Sequence, residues 1–248
     1  HRRWFENHIN KFNVSYKNRS DDLHGIGIAG PKSRDLLQKI VREDVSNKKL
    51  KFRDSRRMFV AGVPAIVNRI SFTGELGYEI YVAPHFQIKL YEELIDFGKE
   101  FNIKPFGSRA LMSMRLEKNW GAWTLDYRPD FTAKETGLDK FINWDKEFIG
   151  KESAKKDISQ SKLVSLMVET NDIDVTYNEA VMKGDKSIGY VTSGGFAHFV
   201  NKSVAFSYID QKHFSSEDGI QVEINGDLFN CSIIKEPLYD PSGEKMRG

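Results

Sequence analysis

Apolar and polar positions alternate with a period of two from Tyr78 to Ala83, setting Tyr78, Ile80 and Val82 on one face of a strand and Glu79, Tyr81 and Ala83 on the other. Upstream, "LHGIGIAG" reads as another strand. "PKSRDLLQKIV" then shifts to helical spacing, with Leu36, Leu37, Ile40 and Val41 on one side and Pro31 suited to the first helical position. "KFRDSRRMFVAGVPAIVNRISFTG" predicts two strands around a Gly62-Val63-Pro64 turn, leading into "SFTGELGYEIYV". Two amphipathic helices follow: "PHFQIKLYEELIDFGKEF", ending at Gly98, and "GSRALMSMRLEKNWG", with Leu111, Met114 and Leu116 directed inward. The opening "HRRWFENHINKF" carries Trp4, Phe5 and Ile9 at helical spacing, a face that calls for a packing partner.

From about Ser159 the texture changes. "KLVSLMVET", "SIGYVTSGG", "SVAFSYI", "IQVEING" and "LFNCSIIK" are short strands separated by Gly, Asn, Asp and Ser, the pattern of a small antiparallel barrel or sandwich. The polar stretch from Ser153 to Lys162 marks the boundary, which divides the chain into an α+β region over residues 1–158 and a β domain over residues 159–248.

With 248 residues, 40% of them hydrophobic, the chain can bury a substantial core. Its 37 Lys and Arg are interspersed with 35 Asp and Glu, and the net charge of +2 leaves no electrostatic footprint for nucleic acid or an anionic membrane. The longest apolar runs are strand-sized, well short of the roughly 20 residues of a membrane helix. The single cysteine, Cys231, fits a reducing compartment, cytoplasm or, in a eukaryote, the mitochondrial matrix. Because the chain starts at His1 with an aromatic helix, it reads as continuing from sequence upstream.

"GIGIAG", from Gly25 to Gly30, satisfies G-x-G-x-x-G and precedes a helix, but a dinucleotide site fails on context. Gly25 and Gly27 alternate with isoleucines inside the strand, and Gly30 abuts Pro31, which removes one of the donors a pyrophosphate needs. Six scattered histidines show no metal-ligand spacing, so no metal is expected. Neither a G-x-S-x-G elbow nor a phosphate-binding G-x-x-x-x-G-K is present. In "RLEKNWGAW" the charges of Arg115, Glu117 and Lys118 read most simply as surface or interhelix pairs and the tryptophans as core. Glu79 is more demanding, because an unpaired carboxylate in an interior strand costs several kcal/mol. Its residues leave two readings open: an ion pair with Arg69 or Arg115, or a carboxylate that takes two parallel N–H bonds from a planar heterocycle.

In chain order, "GIGIAGPKSRDLL", "RISFTGELGYEIYVAP", "ALMSMRLEKNWGAWTLD", "KETGLDKFINWDKEFIGKESA", "GYVTSGGF" and "KEPLYDPSGEKMRG" resemble the aminomethyltransferase, or glycine-cleavage T-protein, family over nearly the whole chain. Within it, "RLEKNWGAW" followed by "ETGLDKFINWDKEFIGKE" looks most like the C-terminal folate domain of dimethylglycine and sarcosine dehydrogenases, where a flavin-binding portion precedes it. The resemblance implies a T-protein-like folate-binding α+β region closed by a C-terminal antiparallel β-barrel. It implies that Glu79 grips the pterin ring of tetrahydrofolate, and that Phe72, Tyr78, Arg115 and Trp120 belong to the same cofactor-binding set. Phe72 falls where many members carry a tyrosine, which keeps stacking and loses a hydroxyl contact. Leu111 falls where an arginine would contact the folate tail. The aspartate that the family places near folate N5 belongs to a segment before His1, so no residue here is assigned as catalytic.

The implied enzyme activity is one-carbon transfer from an amine-derived donor to tetrahydrofolate, giving 5,10-methylenetetrahydrofolate. Its implied partners are a small-molecule amine donor or a lipoyl carrier protein, with FAD only in a preceding flavin portion. The alternatives are the folate domain of a flavin-dependent dimethylglycine or sarcosine dehydrogenase, a folate-dependent demethylase, and a non-catalytic folate-binding module.

Overall fold

The computed structural model describes residues 1–170, 172–214 and 219–248. Internal packing groups them into two compact units. The first comprises residues 1–71, 75–105 and 247–248, and the second residues 72–74 and 106–246.

The first unit opens with α1 (Arg2–His8), whose Trp4 stacks on His8 at 4.1 Å. No side chain of residues 1–23 is buried. A four-stranded antiparallel sheet follows, built from β1 (His24–Ala29), β2 (Ser55–Val60), β3 (Val63–Asn68) and β4 (Gly77–Val82) in the order β1-β4-β3-β2. The alternation expected of β4 holds: Tyr78, Ile80 and Val82 are buried, and Glu79 and Tyr81 lie half-buried on the other face. Against the buried face pack α2 (Ser33–Ile40), through Leu36, Leu37 and Ile40, and α3 (Gln87–Gly98), through Leu90 and Leu94. Each leucine taken out of water contributes about 1.5–3 kcal/mol, so the helices hold that face of the sheet.

Two local expectations change. Helix α2 starts at Ser33, not Pro31, because Pro31 and Lys32 are used in a turn closed by the Ser33 N–H on the Gly30 carbonyl at 3.0 Å. The hairpin between β2 and β3 turns at Ala61-Gly62, and Val63 and Pro64 already belong to β3. Both turn residues have positive φ, 50° and 76°, as a two-residue loop needs to match the twist of its strands.

The second unit begins its regular structure with α4 (Ser108–Glu117), followed by a long irregular segment and the short α5 (Lys151–Lys155). Six strands then close a barrel: β5 (Ser161–Val168), β6 (Ala180–Lys183), β7 (Lys186–Ala197), β8 (Lys202–Asp210), β9 (Ile220–Ile224) and β10 (Asp227–Ile234), in the order β10-β5-β8-β7-β6-β9. Every neighbouring pair is antiparallel. The unpredicted strand is β6. Only four residues long and bulged between Val181 and Met182, it carries too little periodicity to stand out, yet it joins β7 to β9 and so completes the barrel. Val164, Leu166, Val181, Val191, Ile209, Val222 and Ile224 fill the interior.

Helix α4 corrects a further expectation. Leu116 is buried, with Ala197, Val204 and Phe206 around it, but Leu111 and Met114 are only half-buried. The enclosed end of the helix carries charge, for Arg115, Glu117 and Lys118 are all buried. Cys231 is half-buried on β10, where its thiol donates to the Ile220 carbonyl at 3.3 Å. Burial, with Glu169 adding to it, pushes the Cys231 thiol up to about 12, far above the range of a reactive thiolate. Among the described residues no helix is long and apolar enough to cross a membrane.

Candidate functional site

The open face of the first unit's sheet is defined by register. Gly27, Glu79, Asn68 and Ser55 lie level across β1, β4, β3 and β2, and Gly25, Tyr81, Ile66 and Arg57 form the next row. Residues directly opposite in antiparallel strands share a face, so these rows form one surface. The Tyr81 hydroxyl donates to Glu79 Oε2 at 2.8 Å. That bond, with burial second, raises the Tyr81 phenol above its ordinary value and keeps it a donor. On the β1 side the wall is bare: a Cβ built on Gly27 meets nothing within 4 Å. On the β3 side, Asn68 Oδ1 is buried without a hydrogen-bond partner among the described residues.

This geometry bears on the ion-pair reading of Glu79. Arg69, 1% exposed, donates from Nη1 to the Leu50 carbonyl at 2.7 Å and from Nη2 to the Arg247 carbonyl. Arg115 is engaged with Asp126 at 2.6 Å. Neither arginine pairs with Glu79. Tyr78, in the predicted set, points to the opposite face of β4, where it is 1% exposed and its hydroxyl accepts Arg34 Nε–H at 3.3 Å.

In the second unit, Arg115 and Asp126 form an enclosed pair with side chains 1% and 0% exposed. Asp126 Oδ2 also accepts the Ala122 N–H at 2.7 Å, and Oδ1 accepts the hydroxyls of Thr192 at 2.5 Å and Ser193 at 2.6 Å. Burial lowers Arg115 from its ordinary value and Asp126 opposes that shift. Arg115 Nη1 reaches the Trp120 carbonyl at 3.1 Å, so the arginine and the tryptophan of the predicted set are joined through the backbone, with the Trp120 side chain half-buried. Phe72 is 37% exposed. Its segment is held because Gly74, at φ 86°, lets the stem of Lys118 lie where a Cβ would come within 2.8 Å of it. Lys118 in turn pairs with Asp240 at 2.9 Å, both side chains 4% exposed. The charges of "RLEKNWGAW" are thus buried and partnered by loop residues, neither surface pairs nor interhelix pairs.

Glu117 accepts the Phe199 N–H at 2.5 Å. Burial raises its carboxyl above the ordinary 4.5, opposed by that hydrogen bond and by His198. The folded chain therefore keeps this proton to higher pH than the unfolded chain. The resulting stability is full below about pH 4.5 and is lost as pH rises through the folded value. Glu117→Gln preserves an acceptor and cannot ionise, so its stability relative to the parent is expected to climb in thermal unfolding as pH rises from about 4.5 through the folded value. A difference constant over that range would remove burial as the cause.

Two residues of the sheet face were not singled out from sequence. Tyr81 carried a signal, since two positions along a strand return to the same face as Glu79. Asn68 carried none, because its place opposite Glu79 depends on the β3–β4 register.

The chain combines a helix-backed antiparallel sheet, on which Tyr81 donates to Glu79, with an α-helix packed on a six-stranded barrel. The family model of the GCVT N-terminal domain matches residues 1–146, and that of the glycine cleavage T-protein C-terminal barrel domain matches residues 162–240. The chain belongs to the glycine cleavage T-protein family. It is 35% identical over 254 residues to the mitochondrial dimethylglycine dehydrogenase of Homo sapiens, covering 99% of this chain and 29% of that protein. It is 32% identical to the aminomethyltransferase of Caldanaerobacter subterraneus subsp. tengcongensis, covering 98% of this chain and 66% of the relative. The fold is shared with the crystal structure of the glycine cleavage system aminomethyltransferase T from Bartonella henselae, at TM-score 0.65 and 18% identity, covering 89% of this chain and 85% of that one. The chain thus spans less than a third of the length of the dehydrogenases it matches.

Proposed function

We propose that this chain binds tetrahydrofolate, with Glu79 as the anchor of the pterin ring, and serves one-carbon transfer from an amine-derived donor. The observation that carries the proposal is the environment of Glu79: a half-buried carboxylate with no ion pair among the described residues, oriented by Tyr81 and flanked by bare glycine backbone. Acceptors beside a flat, open floor suit a planar heterocycle with N–H groups along one edge, and a pterin has that edge. Tetrahydrofolate supplies the nucleophilic nitrogen of the transfer. The chain's residues orient the ring and exclude water, which is where most of the acceleration in such a reaction arises. Glu79 is an anchor, not a proton carrier.

In this proposal Phe72 and Trp120 offer aromatic surface for the folate, Arg115 acts by holding the Trp120 backbone, and Tyr78 supports β4 from beneath. The folate-handling part runs over residues 1–158 and the barrel over residues 159–248. Coverage of 99% of this chain but 29% of the human dimethylglycine dehydrogenase favours one context above the others, a folate portion of a larger flavin-dependent dehydrogenase acting on a small methylated amine. A lipoyl carrier as donor, with the chain in an aminomethyltransferase, is the second context.

The test is a single-turnover assay with tetrahydrofolate and an aminomethyl donor or formaldehyde. Acceleration of 5,10-methylenetetrahydrofolate formation over the uncatalysed rate is expected. Binding without acceleration would reduce the protein to a folate-binding module, and absence of binding would end the folate proposal. A flavin absorption spectrum in the full-length protein would identify the dehydrogenase context.

A further inference from the structure

Gly25 lies on the exposed face of the edge strand β1, directly across from Tyr81 of β4. Its φ is outside the left-handed region, so the backbone does not require glycine there, and glycine inside a strand lowers stability by leaving more freedom in the unfolded chain. What the missing side chain admits is Tyr81. A Cβ on Gly25 would stand 3.0 Å from Tyr81 Cε1 and 3.3 Å from Cδ1, closer than side chains ordinarily approach, and its three nearest heavy atoms all belong to that ring. The ring therefore lies over bare backbone, and the hydroxyl at its far end donates to Glu79 Oε2 at 2.8 Å. A side chain at Gly25 would push Cε1 away by a few tenths of an ångström or more, and the hydroxyl would move with it because ring and oxygen form one rigid plane. Hydrogen bonds weaken steeply as length and alignment leave the ordinary range.

We propose that Gly25 is a positioning residue of the Glu79 site: by admitting the Tyr81 ring it fixes the hydroxyl that orients the Glu79 carboxylate toward the N–H edge of a heterocycle. The inference rests on the folate proposal for Glu79 and extends it to a residue that acts only through Tyr81. With Oε2 held, the plane of the carboxylate is set before a ligand arrives, so less freedom is lost on binding. With Tyr81 displaced, the half-buried carboxylate turns and the ligand itself must order it. The first glycine of "GIGIAG" thereby has a role unrelated to a pyrophosphate.

Gly25→Val is the test, with tetrahydrofolate titrated anaerobically into it, the parent, Tyr81→Phe and Glu79→Gln. In thermal unfolding without ligand Gly25→Val is expected to be at least as stable as the parent, because valine suits a strand better than glycine. Its affinity for tetrahydrofolate is expected to fall roughly three- to tenfold. Tyr81→Phe is expected to lose as much, and the Gly25→Val/Tyr81→Phe double variant no more than either, since valine then displaces a hydroxyl that is already gone. The Cζ resonance of Tyr81 in NMR, assigned by its loss in Tyr81→Phe, reads the hydrogen bond without ligand, and in Gly25→Val it is expected to move toward that of an exposed tyrosine. Additive losses in the double variant, or an unmoved Tyr81 resonance, overturn the positioning role. Parent-like affinity in Gly25→Val with Glu79→Gln weakened overturns it too and leaves the folate proposal standing. If neither variant is weakened, both fall. Should valine lower stability, Gly25→Ala takes its place and is expected to show a smaller loss of affinity with the same direction of resonance shift; parent-like values of both overturn the inference.

Discussion

Asp126→Ala is expected to destabilise the barrel-bearing unit by about 3–5 kcal/mol, the effect of leaving a buried charge without its partner. Arg115 would remain enclosed, with its Nη1 reduced to the Trp120 carbonyl at 3.1 Å. The Ala122 N–H and the Thr192 and Ser193 hydroxyls would lose the same acceptor. Burial already lowers the Arg115 pKa, and removing Asp126 takes away what opposes it. Urea unfolding followed by tryptophan fluorescence measures the change, since Trp120 and Trp123 lie in the same unit. Replacing both partners, as in Arg115→Met with Asp126→Leu, is expected to recover most of the loss, because two matched apolar groups need no compensation. A single-variant loss below about 1 kcal/mol would show that Asp126 is not the partner that makes burial of Arg115 tolerable.

The second large effect concerns the ligand and not the fold. Glu79→Gln is expected to weaken tetrahydrofolate binding by about 1.5–3 kcal/mol, roughly ten- to a hundredfold, because a hydrogen bond to a charged acceptor becomes one to a neutral amide. Stability without ligand should change little, since Glu79 is half-buried and its partner Tyr81 can donate to the glutamine oxygen instead. Calorimetric titration and thermal unfolding of the same preparations separate the two quantities. An unchanged dissociation constant would sink the anchor role. A collapse of stability would mean that the carboxylate supports the sheet.

The contrast between Glu79 and Asp126 shows how much of the site could be read from sequence. Glu79 was visible because a charged residue interrupts a strict apolar alternation, a local pattern with period two. Asp126 was not, because "TLDYRP" has no periodicity and its aspartate matters only through Arg115, Thr192 and Ser193, up to 67 residues away. For the same reason the charges near Arg115 read as surface or interhelix pairs: at the end of a helix, burial depends on what covers it. The short β6 escaped notice because its strand character comes from its neighbours β7 and β9 and not from its own four residues.

Sequence alone therefore determined the α+β pattern, the buried face of β4, the position of β1, the end of α3 at Gly98, five of the six barrel strands and the exceptional standing of Glu79. These follow from local spacing, and spacing is a property of the chain. Only the tertiary structure decided the closure of the barrel, the enclosure of Arg115 with Asp126, and the level row in which Gly27, Glu79 and Asn68 meet. Those depend on register and burial between segments distant along the chain, where the free energy of a polar group is set by the partners that folding brings to it.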